Sequence, residues 1–272
     1  MSFDPKPGKY YRMPVFFGPT PGPRQWPEGM DFPFDTIPKR LSFGARFLTR
    51  REQLQAFLPD CFEVWGEPVV TVEVTYLTQL AWLAGRGYNM CDVKFNAIYK
   101  GKDGPVHGSL VLVRWEDLAD PILSGREELG HNKLYCEIPP YREHEGRIAN
   151  EMSWRAYPFL KLWAANLKEV APPKPNPLFR GMLSYKYIPA TGRWGYADAE
   201  YATLTPVPST GRMVRWLEGS GHAEFIKSSW EDLPTLYHAV NTFASLEQLE
   251  SRGGYLYETE GGASGSETHR LE

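Results

Sequence analysis

The chain has 272 residues, a net charge of −3 and 42% apolar residues, enough for a sizeable core in one large domain or two small ones. No basic stripe marks a nucleic-acid-binding surface, no apolar run reaches the length of a membrane span, and the N-terminus lacks the apolar stretch of a signal peptide. The three cysteines, Cys61, Cys91 and Cys136, are odd in number and widely spaced, so they make neither a disulfide framework nor a metal finger and fit a reducing cytoplasm.

Residues 1–38 hold nine prolines together with Tyr10, Tyr11, Phe16, Phe17, Trp26, Phe32 and Phe34. Proline at this density favours extended backbone, and the aromatics make the segment too apolar for an ordinary disordered tail. It reads as an arm that packs over the body of the protein or over a neighbouring subunit, with a mobile leader as the alternative. Residues 40–48 alternate with Leu41, Phe43, Ala45 and Phe47 on one side, which predicts a strand. Thr49 to Glu52 matches a capping box and starts a short helix ending at Leu58-Pro59. A long β-branched and aromatic run covers residues 69–83, with Glu73 on the same face as Thr71, Thr75, Leu77 and Gln79. Strands at 92–99 and 106–115 flank Lys100-Gly-Lys-Asp-Gly104, a hairpin signal.

Residues 116–129 read as a loop and a short helix that Ser124 caps, and a strand follows at 133–138. More strands are predicted across 147–167, joined near Tyr157-Pro158. The proline-rich 172–177 is a stiff link between strand groups. Strands recur at 179–188, 195–204 and 212–216, and 231–249 holds a short helix. Residues 251–272 are rich in Gly, Ser and Glu and read as a disordered tail whose last two residues resemble a cloning scar. There is no internal repeat. Many evenly spaced strands with few helices predict a mainly β (α+β) fold, a closed antiparallel β-barrel with a few short helices, or a sandwich. Aromatic content of 14% suits bulky sheet packing or an aromatic-lined pocket.

The chemistry concentrates in Gly125-Arg-Glu-Glu-Leu-Gly-His-Asn-Lys133, after which the chain turns apolar with Leu134, Tyr135, Cys136 and Ile138. A lysine at the mouth of an apolar strand loses solvation, which lowers its pKa, and a neutral amine attacks ketones to form an imine. The alternative is a solvated lysine snorkelling at a strand end. His131, two residues before, shares a face with Lys133 if both lie on a strand. His107, His144, His222, His238 and His269 are scattered, without the spacing of a metal site. Gly219-Ser-Gly-His222 is a turn rather than a hydrolase site, and no phosphate-binding glycine loop occurs.

The segment from Pro121 to Lys133 resembles the signature of the acetoacetate decarboxylase-like superfamily: Gly-Arg-Glu followed a few residues later by a lysine. The resemblance extends over roughly residues 36–250, which puts the domain at 39–250 between the arm and the tail. It implies a β-barrel with the active-site pocket inside and Lys133 as the Schiff-base lysine; acetoacetate decarboxylase is itself a reference case of a desolvated nucleophilic lysine. It further implies Glu73 as a catalytic acid or base and Arg40 as a substrate-binding arginine, whose planar fork matches a carboxylate. Arg126, Glu127 and His131 would brace the turn that aims the lysine. Two positions depart from the family pattern: Leu134 stands where a second lysine is expected, and Met90 where a second glutamate is, with Gln79 the nearest polar residue. The implied activity is that of a lyase acting on a small keto acid through a lysine imine. Decarboxylation of an acetoacetate-like β-keto acid leads; aldolase, dehydratase or hydratase chemistry on a 2-oxo acid is the alternative, and a non-catalytic small-molecule-binding barrel a third reading. Such an imine needs no metal or organic cofactor, and the family resemblance implies a homo-oligomer.

Overall fold

The computed structural model describes residues 4–30, 37–262, 265 and 267–272. Strands dominate. The first group is β1 (Lys39–Leu48), β2 (Phe62–Val64), β3 (Val69–Thr78), β4 (Tyr88–Gly101), β5 (Gly104–Glu116) and β6 (Lys133–Tyr135). The second is β7 (Arg142–His144), β8 (Arg147–Trp154), β9 (Tyr157–Glu169), β10 (Phe179–Pro189), β11 (Ala197–Pro206), β12 (Arg212–Phe225), β13 (Glu250–Glu260) and β14 (His269–Arg270). Among the described residues three short α-helices join them: α1 (Arg51–Gln55), α2 (Ala119–Ser124) and α3 (Tyr237–Ala244). The capping box does not form, because Arg50 rather than Thr49 is the residue before α1 and no side chain caps it. Ser124 ends α2 instead of starting a helix, and the backbone continues into a π-helical turn, Gly125–Leu129.

The fourteen strands of the described residues join one sheet. From β5 the antiparallel neighbours run β4, β3, β1, β13, β12, β9, β8 and β7, and on its other side β10, β11 and β14 follow. The expected closed antiparallel barrel is corrected on two points. The sheet is mixed, since β5 pairs in parallel with both β10 and β6. It is also open, running from β14 at one edge to β7 at the other. The segment after β6 meets β8 through a single bridge, Glu137 with Ser153, at 2.8 and 3.1 Å. Three residues of β6 are too few to extend a ladder across that gap. Strand periodicity reports where strands lie and which face is apolar, and carries no information on which edges meet.

The predicted disordered tail is a second correction. Its first part is β13, hydrogen-bonded between β1 and β12 in the middle of the sheet. The glycines that suggested disorder serve close approach: a Cβ at Gly254 would lie 2.5 Å from the Ser220 carbonyl oxygen and 2.8 Å from Gly221 Cα. Leu271 also docks, packing on the core while its N–H donates to Ala202 O at 2.9 Å.

Alternation gives the sheet two different faces around β1, β3, β4 and β5. Phe43, Ala45, Val72, Val74, Cys91, Val93, Val113 and Trp115 face the core, where Trp115 meets Phe159 and the α3 residue Phe243 at ring-centroid distances of 5.2 and 6.1 Å. Burying side chains of this size contributes about 1.5–3 kcal/mol each, which fixes the register and forces the intervening residues to the opposite face. That face carries Ser42, Glu73, Thr75, Asp92, Lys94, Arg114 and Glu116, brought into line by the pairings Ser42–Thr75, Glu73–Asp92 and Asp92–Arg114.

Candidate active site

Lys133 joins this polar face because β6 lies parallel to β5 with Lys133 opposite Arg114. Three local features aim it. The π-helical turn ends at Gly130 with φ 75°, a left-handed conformation that favours glycine. Backbone hydrogen bonds from His131 N to Gly125 O (3.0 Å) and from Lys133 N to His131 O (2.9 Å) tie the turn down. Gly125 leaves room for the lysine itself, since a Cβ there would lie 2.4 Å from Lys133 Cε.

The amine is deeply set. Lys133 is 5% exposed, and its Nζ lies 2.8 Å from Glu116 Oε1 and donates to Pro121 O at 2.8 Å. Burial brings its pKa down to about 8; the nearby Glu116 carboxylate opposes the drop, while the positive charges of Arg114 and Arg24 favour it. Glu116 is fully buried, and burial raises its pKa against the pull of Lys133 and Arg114. Among the described residues its Oε2 has no hydrogen-bond donor. Arg114 is held by Asp92 in a fork at 2.6 and 2.7 Å and touches Met182 Sδ at 3.3 Å. Burial alone would raise the Asp92 pKa, but Arg114 brings it below the ordinary carboxylate value. The result is a row of alternating charges that runs Lys133, Glu116, Arg114, Asp92, Lys94 and Glu73.

Glu73 stands at the far end of this row. It accepts from Lys94 Nζ at 2.8 Å, Tyr255 Oη at 2.7 Å and Tyr257 Oη at 3.3 Å, so its oxygens are occupied and other side chains lie between it and Lys133. Arg40, the second residue of β1, is half-buried on the Ser42 side and lines a cavity of about 310 Å³ with Tyr76, Thr78 and Tyr141. It makes no hydrogen bond or ion pair among the described residues, though its charge is felt at Tyr88 and Tyr257. Met90 is buried in register with Glu116 and packs with Leu77 and Leu80, an apolar wall beside the carboxylate.

Gln79 is not brought to the site: it is exposed in the turn after β3, at φ 58°. Arg126 donates from Nη1 to Lys133 O at 2.9 Å. The Glu127 backbone carbonyl accepts from Lys186 Nζ at 2.6 Å. His131 is buried, with Nε2 3.0 Å from Thr205 Oγ1. Burial, then Arg114, Lys133 and Arg24, push its pKa well below the usual histidine value, so it is neutral at pH 7. A larger cavity of about 410 Å³ opens on the apolar side of β6, lined by Leu134, Phe62, Tyr185 and Phe243, and Lys133 does not reach it. Among the described residues no group of three His, Cys, Asp or Glu is placed to hold a metal ion, and no helix is long and apolar enough to cross a membrane.

Sequence reasoning missed Glu116, Arg114, Asp92 and Arg24. The signal for two of them was present. Extending the alternation of Val113 and Trp115 by one residue puts Arg114 and Glu116 together on the opposite face. Asp92 and Arg24 needed the strand pairing and the folded arm.

A family model described as acetoacetate decarboxylase matches residues 12–258. The fold also resembles solved structures. An acetoacetate decarboxylase-like enzyme from Sphingomonas wittichii RW1 is 15% identical with a TM-score of 0.65, over 92% of this chain and 99% of its own. Acetoacetate decarboxylase from Legionella pneumophila is 18% identical with a TM-score of 0.61, over 87% and 90%. The enduracididine biosynthesis enzyme MppR, in complex with the condensation product of pyruvate and imidazole 4-carboxaldehyde, is 14% identical with a TM-score of 0.65, over 87% and 88%. At these identities the likeness is one of fold. No curated protein sequence matches. The family match spans most of the chain and includes the turn that delivers Lys133, and on that ground the chain belongs to the acetoacetate decarboxylase family.

Proposed function

We propose that the protein is an imine-forming lyase acting on a small keto acid, with Lys133 as nucleophile and Glu116 as its proton-transfer partner. One observation carries this reading: a lysine amine 5% exposed, with a pKa near 8, in contact with a fully buried carboxylate. At neutral pH a usable fraction of the amine is unprotonated, as attack on a carbonyl requires.

Decarboxylation of a β-keto acid is the leading reaction. The Lys133 amine adds to the keto carbon, and water leaves to give a protonated imine. The bond from the α-carbon to the carboxylate then breaks, carbon dioxide departs, and the electron pair moves into the carbon–nitrogen system as an enamine. A proton returns to carbon, and hydrolysis frees the ketone and the lysine. Glu116, 2.8 Å from Nζ, is within reach to take the proton released on attack and return one to the enamine. Arg40, half-buried and without an ion-pair partner among the described residues, suits the substrate carboxylate on entry.

A second reading keeps the same imine. The fold of MppR, solved with a condensation product of pyruvate, favours a 2-oxo acid that stays intact and reacts at its adjacent carbon with an aldehyde. Borohydride trapping read by intact mass tests both. Wild type incubated with acetoacetate or pyruvate should give a reduced adduct that Lys133→Ala lacks. An acetoacetate adduct lacking the mass of carbon dioxide supports decarboxylation; a pyruvate adduct that gains the mass of an added aldehyde supports the second reading. Adducts of equal yield on wild type and Lys133→Ala would refute both.

A further inference from the structure

Glu128, in the same turn as Gly125, receives two arginines from the N-terminal arm. Arg24 reaches Glu128 Oε2 with Nε at 2.8 Å and Nη2 at 2.6 Å, and donates from Nη2 to Ser124 O at 3.3 Å; its side chain is 4% exposed. Arg12 meets the other oxygen at 3.4 Å. The arm is folded so as to deliver them. The Gln25 amide accepts from Tyr10 N and donates to the Tyr10 and Thr20 carbonyls, each at 3.0 Å, and Gly22 and Gln25 pair through their backbones. Arg24 therefore sits on a backbone fixed on either side of it.

We propose that Arg24 is a positioning residue of the active site, clamping the 124–128 turn over Lys133 and placing a second positive charge against the amine. Its catalytic consequence rests on the imine reading; its geometry does not. Pro121 O, which accepts from Lys133 Nζ, and Gly125, which packs on its side chain, flank the clamped residue Ser124. A loosened turn admits water, which favours the ammonium form. Loss of the guanidinium also removes a charge that repels that form. Both effects raise the lysine pKa. The other charged and titratable groups facing Lys133 among the described residues are Glu116 and Arg114 from β5, Asp92 and Tyr88 from β4, and His131 from the turn. Of these Glu116 touches the amine, and Asp92 is committed to Arg114. Arg114 does not substitute for Arg24, because its hydrogen bonds run to Asp92 and Met182 rather than to the turn.

The test measures the amine without any substrate. Full-length protein is labelled briefly with dilute acetic anhydride across the neutral to alkaline range, and modification of Lys133 is read by peptide mass. The wild-type midpoint should lie near about 8. Arg24→Met should raise it by about one unit, leaving labelling at neutral pH roughly tenfold lower. Arg24→Lys should recover part of the shift, and Arg12→Met should leave the midpoint where it is. If Arg24→Met does not fold, Arg24→Gln, which keeps a donor toward Glu128, gives the same readout. An unchanged midpoint in the folded variant overturns the proposal, as does an equal shift in Arg12→Met. A midpoint that moves while wild type forms no borohydride adduct would uphold the role of Arg24 and sink the imine reading alone.

Discussion

Glu116 and Lys133 set each other's charge. The carboxylate holds a proton on an amine that burial would otherwise strip more completely. Glu116→Gln should therefore lower the lysine pKa further and move the acid limb of adduct formation to lower pH. Turnover should fall about 10²–10⁴-fold, the usual worth of a positioned acid–base group. Adduct rate against pH, measured beside kcat, separates the two effects; a turnover unchanged within twofold or so would remove Glu116 from the proton path. Gly125 is the other residue on which the site depends. A Cβ there overlaps the lysine side chain, so Gly125→Ala should abolish trapping while lowering stability by only about 1–3 kcal/mol. Mass spectrometry and a denaturant melt on the same sample check it. At this scale Lys133 was legible because its motif is local in sequence. For Glu116 the alternation gives the face but not the burial, because a carboxylate at the end of an apolar strand looks like an exposed terminus until β6 covers it.

The element that aims the lysine, from α2 through the π-helical turn to β6, contains a built-in acid sensitivity. His131 has a folded-state pKa depressed from about 6.5, chiefly by burial. Its contribution is thus fully present above the unfolded value. As pH falls below about 6.5 the unfolded chain takes up a proton that the folded chain refuses, and stability declines until the folded pKa is reached. Thermal melts from neutral to mildly acidic pH should show Tm falling in this window. His131→Gln, which retains a partner for Thr205, should flatten the dependence, and an identical slope in the variant would assign the acid sensitivity elsewhere. The hairpin of β4 and β5 was legible from five turn residues. The π-helical turn was not, since one extra residue in a helical turn leaves no trace in an apolar pattern already broken by Arg126, Glu127 and Glu128.

On the scale of the whole molecule, the C-terminal segment is structural. β13 lies between β1 and β12 and supplies Tyr255 and Tyr257 to Glu73. A chain ending at residue 249 should lose its cooperative melt, because removing a central strand leaves two edges unpaired and uncovers Phe43 and its neighbours. Calorimetry of the truncated chain decides this: a sharp transition at the wild-type temperature would mean the sheet closes up without β13.

The sequence by itself determined that the protein is mainly β and which side of β1 is apolar, and it singled out Lys133 as the candidate nucleophile. These follow from periodicity and from a motif contained within thirteen residues. Only the tertiary structure decided that the sheet stays open and mixed, that a glycine-rich segment is a central strand, and that Glu116, Arg114 and the arm's Arg24 gather around Lys133. Alternation assigns a side chain to a face but names no neighbour across the sheet, and the charge of a buried amine is set by those neighbours.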